Sequence, residues 1–389
     1  MILSSLPCSV VSREQKEGNS TILLLKSNDH QTLFLFFPIT KQEKMWTFSN
    51  LSLLFFVTLP MTTTAFATTT TTTMAFAKHS SKSLAMSSSS TTTTENSDLA
   101  VVGVGVLGVD LCRQLLESPE FSDTTITGIT KSTSRHELIR HIAFSNVDIS
   151  EPSSRLILTT MEDLGESKKY KNVVFCAPPS GFDDYAGAVQ NAITNLWLGP
   201  EGGGVFVFTS SGGIYGKGDD GEIVNESSPT ADPEANPRIG RLVKAEQVCR
   251  ESGGCILRLA GLYNLDRGAH NYWLVQYKTN QKEVMGSEDA IINLLHYEDA
   301  ASACLYALKA GAYTVAGRTF LISDGHPTTR KGICDSALKS KHYADYEMPT
   351  FTGNDGPGGK GKIYDGTWSD EQLQWKPTYA SFDEYMSHH

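Results

Sequence analysis

The sequence predicts an α/β fold, a doubly wound parallel sheet with a small C-terminal substrate lobe. Three observations lead there. Apolar runs of strand length alternate with helix-length stretches from Leu99 to about Ala260, the pattern of a parallel sheet wrapped by helices. A G-x-G-x-x-G turn joins the first of these strands to the first helix. Beyond Gly261 the alternation loosens into shorter elements, among them a helix at 299–310 and a strand at 319–322, which suggest a smaller lobe from about residue 261.

The strands are expected at 99–102, 124–129, 172–176, 205–209 and 255–259, and the connecting helices include 109–116, 185–197 and 241–251. With 389 residues, 40 % of them hydrophobic, the chain can bury a large core. The predicted globular part is 98–389. Residues 1–97 differ in kind: Thr and Ser runs (68–73, 87–94), few acids and no amphipathic element. They carry seven Lys/Arg against five Asp/Glu, so the chain's net charge of −10 becomes about −12 for the remainder. An acidic body argues against nucleic acid and against an anionic membrane as partners of the mature form. The seven cysteines show no CxxC spacing, so they predict small buried side chains rather than a disulfide framework or a metal set.

Within 1–97, "LSLLFFVTLP" at 51–60 has the length of a signal-peptide core and is short for a bilayer span. Lys41 and Lys44 precede it, and Met45 offers an alternative start. Phe66 in "AFA", followed by a Ser/Thr-rich, acid-poor stretch, resembles the bipartite plastid presequences of algae with red-lineage secondary plastids. A second such motif, "MAFA" at 74–77, leaves the cleavage point open. The alternative is a plain secretory signal; the unpaired cysteines of the body, with Lys78 and Lys82 after the apolar run, weigh against it. Residues 1–97 are therefore expected to be a targeting leader, removed or disordered, with the mature chain in a plastid.

The glycine turn carries the chemistry. Gly103 permits the tight turn, Gly105 lets the backbone approach a pyrophosphate, and Gly108 lets the helix pack close to the sheet. The anion would rest on the helix N-terminus, at the backbone of Gly105, Val106 and Leu107, where free N–H groups and the helix dipole favour it. At the end of the second strand, an NAD site usually places an acid against the ribose 2′-hydroxyl. Here the chain reads "TGITKSTSRHE", with Lys131, Ser132, Ser134 and Arg135 before the first acid, Glu137. Cations with hydroxyls suit a 2′-phosphate, so the expected cofactor is NADP in preference to NAD.

Six segments then occur in order: "VVFCAPPSG", "VFVFTSSGGIYG", "ESSP", "CILRLAGLYNLDRG", "INLLHYEDAASA" and "FLISDGHPTTR", with "SDEQLQWKPTYASFDEYM" at the end. Together they resemble the extended and atypical short-chain dehydrogenase/reductases, the Rossmann-fold group that contains nucleotide-sugar epimerases and dehydratases. The resemblance implies that Ala177, Pro178 and Ser210 lie along the cofactor and that Ser211, Tyr215 and Lys244 are the candidate catalytic residues. It also implies a homodimer through the helices at 185–197 and 241–251. In the family a Ser orients the substrate oxygen, a Tyr moves the proton, and a Lys with the ribose lowers the Tyr pKa.

This chain departs from that pattern in "RIGRLVKAEQVCRES". Aligning Lys244 with the family Lys puts Gly240 at the Tyr position; aligning Glu246 with the Glu usual later in the helix puts Arg238 and Leu242 at the two positions. Neither register supplies the Tyr–Lys dyad. Tyr185, Tyr215 or Tyr263 could stand in, and Arg238 and Arg241 could hold an anionic substrate group. Asn293, His296 and Asp299 match positions that pin the substrate lobe, with Asp299 expected to cap the helix that follows; no metal is expected. The expected function is an NADP-dependent oxidoreductase acting on a small plastid metabolite. The alternatives are a nucleotide-sugar epimerase or dehydratase, and a cofactor-binding scaffold or sensor without turnover.

Overall fold

The computed structural model describes residues 98–389 apart from 146–154, 166–167, 219–220 and 354–358, and three strands nearer the amino terminus. Those strands, β1 (Arg13–Glu17), β2 (Ser20–Lys26) and β3 (Thr32–Pro38), pair in succession as an antiparallel sheet. They fall where no element was expected. The apolar run at 51–60, Phe66 and the Thr/Ser tracts lie outside the described residues. The chain divides into two units between Ser88 and Ser89.

The second unit is built on seven strands: β4 (Leu99–Val102), β5 (Ile126–Thr130), β6 (Leu156–Thr160), β7 (Asn172–Phe175), β8 (Phe206–Ser211), β10 (Cys255–Leu259) and β14 (Thr319–Ile322). They form one parallel sheet in the order β6-β5-β4-β7-β8-β10-β14. Successive side chains of a strand point to opposite faces, and both faces here are apolar. Leu99, Val101, Val174, Val207 and Leu257 enter one core with α1 (Val106–Glu117), α2 (His136–Ala143) and α6 (Tyr297–Val315). Ala100, Val102, Val173, Phe175, Phe206 and Phe208 enter the other with α3 (Tyr185–Leu196) and α4 (Pro237–Glu251). Strand order reverses between β4 and β7, which opens a crevice at their carboxyl ends.

The small lobe has its own core, where Tyr263, Leu274, Leu294, Ile333, Tyr343 and Met386 meet. They come from β11 (Gly261–Tyr263), α5 (Ala269–Asn280), β13 (Leu294–His296), α7 (Arg330–Ala337) and α9 (Phe382–His388), with Tyr343 on a single turn between α7 and the chain end. Three further pairings complete it: β11 with β13 in parallel, β12 (Ile291–Ile292) with β15 (Thr328–Thr329) antiparallel, and β9 (Glu222–Val224) with β16 (Lys362–Tyr364) in parallel. Two elements expected in this lobe belong elsewhere. β14 is the seventh strand of the main sheet, with Phe320, Leu321 and Ile322 fully buried, and α6 packs on α1. α8 (Thr367–Leu373) lies beside β14, with the Ser369 hydroxyl accepting the Leu321 N–H at 2.8 Å.

One polar cluster lies within the apolar layer of α4. Arg258 on β10 donates to both Glu246 oxygens, with its closest contact at 2.8 Å; the two side chains are 5 % and 2 % exposed. Ser210 donates to Glu246 at 2.7 Å and Arg258 donates to the Tyr215 hydroxyl at 3.0 Å. Removing Arg258 leaves the buried Glu246 carboxylate with only the partly exposed Arg250, 3.6 Å away, as a charge partner. Arg258→Ala is expected to lower the unfolding free energy by about 3–5 kcal/mol in urea titration; a loss under about 1 kcal/mol would show that the pair is not desolvated as described.

Candidate functional site

At the carboxyl ends of β4 and β7 two backbones meet. Gly103 has φ +94°, and a Cβ there would lie 2.5 Å from the Ala177 backbone. A Cβ on Gly108 would lie 2.5 Å from the Gly103 carbonyl oxygen. Gly105, at the N-cap of α1, has nothing within 4 Å of its own Cβ position. Two glycines are therefore required by the protein's own contacts, and the third faces open space. No side chain caps α1 and its first turn holds no acid, so its leading N–H groups are available to an anion. The Cys176 thiol donates to the Gly103 carbonyl at 3.2 Å and steadies the turn. Val106 and Leu107 form the start of α1; Ala177 is buried and Pro178 exposed on the facing loop. These residues fit a dinucleotide pyrophosphate on backbone groups alone.

The end of β5 lies beside this turn, where the Gly103 N–H donates to the Ile129 carbonyl at 2.9 Å. Residues 131–135 are all exposed. The Thr130 hydroxyl donates to the Ser132 carbonyl at 2.9 Å and lies 2.7 Å from His136 Nε2, which holds the bend. Ser132 and Ser134 hydroxyls are 3.0 Å apart. Among the described residues no ion pair engages Lys131 or Arg135.

At the end of β8, Ser211 is half-buried and its hydroxyl accepts the Gly213 N–H at 3.2 Å, leaving its own proton free to donate. Ser210 points inward to Glu246. Tyr215 is 1 % exposed; its hydroxyl donates to the Asn225 carbonyl at 2.8 Å and accepts from Arg258. Burial pushes the Tyr215 hydroxyl above its ordinary range. Lys244 is exposed on α4, away from the helix face that carries Leu242, Ala245 and Glu246 into the core. Ser211, Tyr215 and Lys244 are thus not gathered as a Ser–Tyr–Lys set. Arg241, expected to be free for substrate, is bound instead to the Pro179 and Phe182 carbonyls at 2.7 and 2.5 Å, tying α4 to the loop after β7. Arg238 is exposed.

The other two stand-in tyrosines are also turned inward. Tyr185 donates to the Ala177 carbonyl at 3.0 Å. Tyr263 is fully buried in the lobe, 5.2 Å from the His296 ring centroid, with its hydroxyl unpartnered among the described residues. His296 caps α6 itself, its Nδ1 accepting the Glu298 N–H at 3.2 Å. Asp299, the expected cap, accepts instead from the Thr378 and Tyr379 N–H groups at 2.8 and 3.1 Å and so fastens the C-terminal segment to α6. Asn293, expected to pin the lobe to α6, is bonded instead to β16, donating to the Lys362 carbonyl and accepting the Tyr364 N–H. A cleft of about 530 Å³ opens beyond β11, lined by Leu262, Arg267, Gly268, Asn271, Tyr272 and Tyr297. Arg267 donates to the Tyr297 hydroxyl there at 2.9 Å through Nε. No cluster of metal-ligating side chains and no helix long and apolar enough to cross a membrane occurs among the described residues.

The family model for the NAD dependent epimerase/dehydratase family matches residues 99–323, more than half of the chain. The chain belongs to that family. Among solved structures it is similar to the UDP-Glc/GlcNAc 4-epimerase of Campylobacter jejuni, with 15 % identity and a TM-score of 0.57, covering 75 % of this chain and 97 % of that one. It is also similar to the UDP-glucuronic acid 4-epimerase of Bacillus cereus in complex with NAD (15 %, TM-score 0.54, 75 % and 96 % covered). A third is the dTDP-glucose 4,6-dehydratase of Bacillus anthracis in complex with NAD (13 %, TM-score 0.54, 75 % and 94 % covered). At these identities the likeness establishes the fold. No curated protein matches the chain.

Two predictions follow from this geometry. Gly105→Ala meets no protein atom, so its stability should stay within about 1 kcal/mol of wild type, while its new methyl group should weaken NADPH binding at least tenfold in a fluorescence titration. Unchanged affinity would remove the pyrophosphate from this turn. The second concerns Asp324, 4 % exposed, whose Oδ1 accepts the His326 N–H while Oδ2 has no partner among the described residues. Burial raises its carboxyl from 3.8 to about 7. A carboxyl raised on folding contributes stability below about pH 4, and that contribution is lost as pH rises through about 7. Asp324→Asn should therefore raise the urea midpoint at pH 8 and change it little at pH 5; an equal shift at both would contradict the assignment.

Proposed function

We propose that this protein is an NADP-dependent oxidoreductase of the epimerase/dehydratase family, acting on a small carbonyl or hydroxyl metabolite. One observation carries the cofactor choice. The end of β5 presents Lys131, Ser132, Ser134 and Arg135 to solvent and holds no acid to accept a ribose 2′-hydroxyl. A 2′-phosphate would take the two cations and the hydroxyls. The Gly103–Gly108 turn and the uncapped start of α1 supply the pyrophosphate seat. When bound, the reduced nicotinamide supplies hydride.

The epimerases and dehydratases among the similar structures act on nucleotide sugars, and such a substrate is the alternative. Those reactions begin by taking a proton from a substrate hydroxyl, which requires a base. On α4 neither register, Gly240 with Lys244 or Arg238 with Leu242, supplies both the Tyr and the Lys, and this weakens the alternative. The same feature supports a second reading, a cofactor-binding protein without turnover. The plastid setting rests on the apolar run at 51–60 and the Ser/Thr-rich stretch that follows it, outside the described residues.

The double variant Lys131→Asp with Arg135→Asp tests the cofactor assignment. NADPH affinity should fall at least about tenfold while NADH affinity holds or improves, read by nicotinamide fluorescence with each dinucleotide. Equal losses for both would mean that the two cations do not read the 2′-phosphate.

A further inference from the structure

α4 lacks the tyrosine that would deliver a proton, yet a tyrosine packs on Gly212, the residue after Ser211. Tyr364 ends β16, which runs parallel to β9. Asn293 fixes it in place. Its Oδ1 accepts the Tyr364 N–H at 2.9 Å, its Nδ2 donates to the Lys362 carbonyl at 2.7 Å, and its own carbonyl accepts the Gly261 N–H at 2.9 Å. One side chain and its backbone thus tie β16 to the chain leaving β10. The Tyr364 ring packs edge-on against Tyr215, centroids 5.8 Å apart, and covers Gly212, the residue after Ser211. A Cβ on Gly212 would lie 2.9 Å from the Tyr364 hydroxyl and closer still to the ring edge. Glycine at 212 is therefore what admits this ring.

Tyr364 is half-buried, and its hydroxyl has no hydrogen-bond partner among the described residues. The residue borders a cleft of about 280 Å³ with Ser323, Gly325, Thr367 and Asp370. The tyrosines the sequence nominates do not compete for the role. Tyr185 and Tyr215 donate to carbonyls, and Tyr263 is fully buried in the lobe.

We infer that Tyr364 is the proton donor of the reaction, acting with Ser211 in place of the missing tyrosine of α4. This rests on the hydride transfer proposed above. The substrate carbonyl carbon takes a hydride from the reduced dinucleotide as its C=O π bond breaks. The carbonyl oxygen, held by the Ser211 hydroxyl, takes the Tyr364 proton. The tyrosinate left behind regains a proton from water, so the sum is carbonyl plus NADPH plus one proton to alcohol plus NADP. Burial holds the Tyr364 hydroxyl up at about 12, and no lysine lowers it as in the family dyad. A tyrosine kept protonated can donate but starts poorly as a base. The arrangement therefore favours reduction of a carbonyl over oxidation of a sugar hydroxyl.

The test is a crystal structure of the full chain with NADPH, beside titrations of wild type and Tyr364→Phe. The Tyr364 hydroxyl and Ser211 Oγ should both lie within about 5 Å of nicotinamide C4, a span that a carbonyl group can bridge. An ordered nicotinamide with the Tyr364 hydroxyl beyond about 8 Å would overturn the assignment while leaving the cofactor proposal intact. Tyr364→Phe should bind NADPH within about twofold of wild type and oxidise it about 100-fold more slowly with 9,10-phenanthrenequinone as the carbonyl probe. An unchanged rate would also overturn the role. Failure of wild type to bind NADPH would reject both proposals together.

Discussion

The site depends on a backbone-to-backbone contact at the strand-order reversal. β4 and β7 deliver Gly103 and Ala177 to the same point, so close that no side chain fits on the first. That contact aims the turn at the crevice and sets the start of α1 over it. Gly108 then brings α1 down onto the Gly103 carbonyl, which also receives the Cys176 thiol. With the protein filling every side of the turn except that of Gly105, the open face is a seat for a ligand that binds to N–H groups. Among the described residues no side chain caps α1 and no acid lies in its first turn.

α4 shows how a family helix can keep its structural part and lose its chemical one. Glu246 remains and is bound by Arg258 and Ser210 in a dry layer, where unpaired charge would be costly. Tyr215 completes the cluster by accepting from Arg258. Arg241 holds the loop after β7. These contacts fix α4 against the sheet without a Tyr–Lys dyad. From the far end of the chain, β16 brings Tyr364 onto Gly212, the residue after Ser211.

The sheet was legible because its strands are short apolar runs between breakers. Residues 99–102, 255–259 and 319–322 have the bounds that the sequence predicts. β6 escaped because "LILTT" is brief and half polar, and α2 because eight residues with two His, a Glu and an Arg give little periodic signal. β14 was assigned to the lobe because sequence order does not reveal which strand joins an open edge. The glycine turn and the cations after β5 were local patterns and stood out. The roles of Asp299, Arg241 and Tyr364 were not local. Asp299 holds a segment near the C-terminus, since His296 already accepts the Glu298 N–H. The nearness of Tyr364 to Ser211 depends on the pairing of β16 with β9 and on Asn293, neither of which leaves a mark in residue spacing.

The central claim is that a 2′-phosphorylated dinucleotide sits on the Gly103–Gly108 turn with its phosphate at Lys131 and Arg135. Calorimetric titration with adenosine 2′,5′-bisphosphate and with adenosine 5′-monophosphate isolates that end of the ligand from any redox chemistry. The account predicts that the bisphosphate binds at least about tenfold tighter, with the difference shrinking as salt screens the exposed cations. Equal affinities at low salt would contradict it.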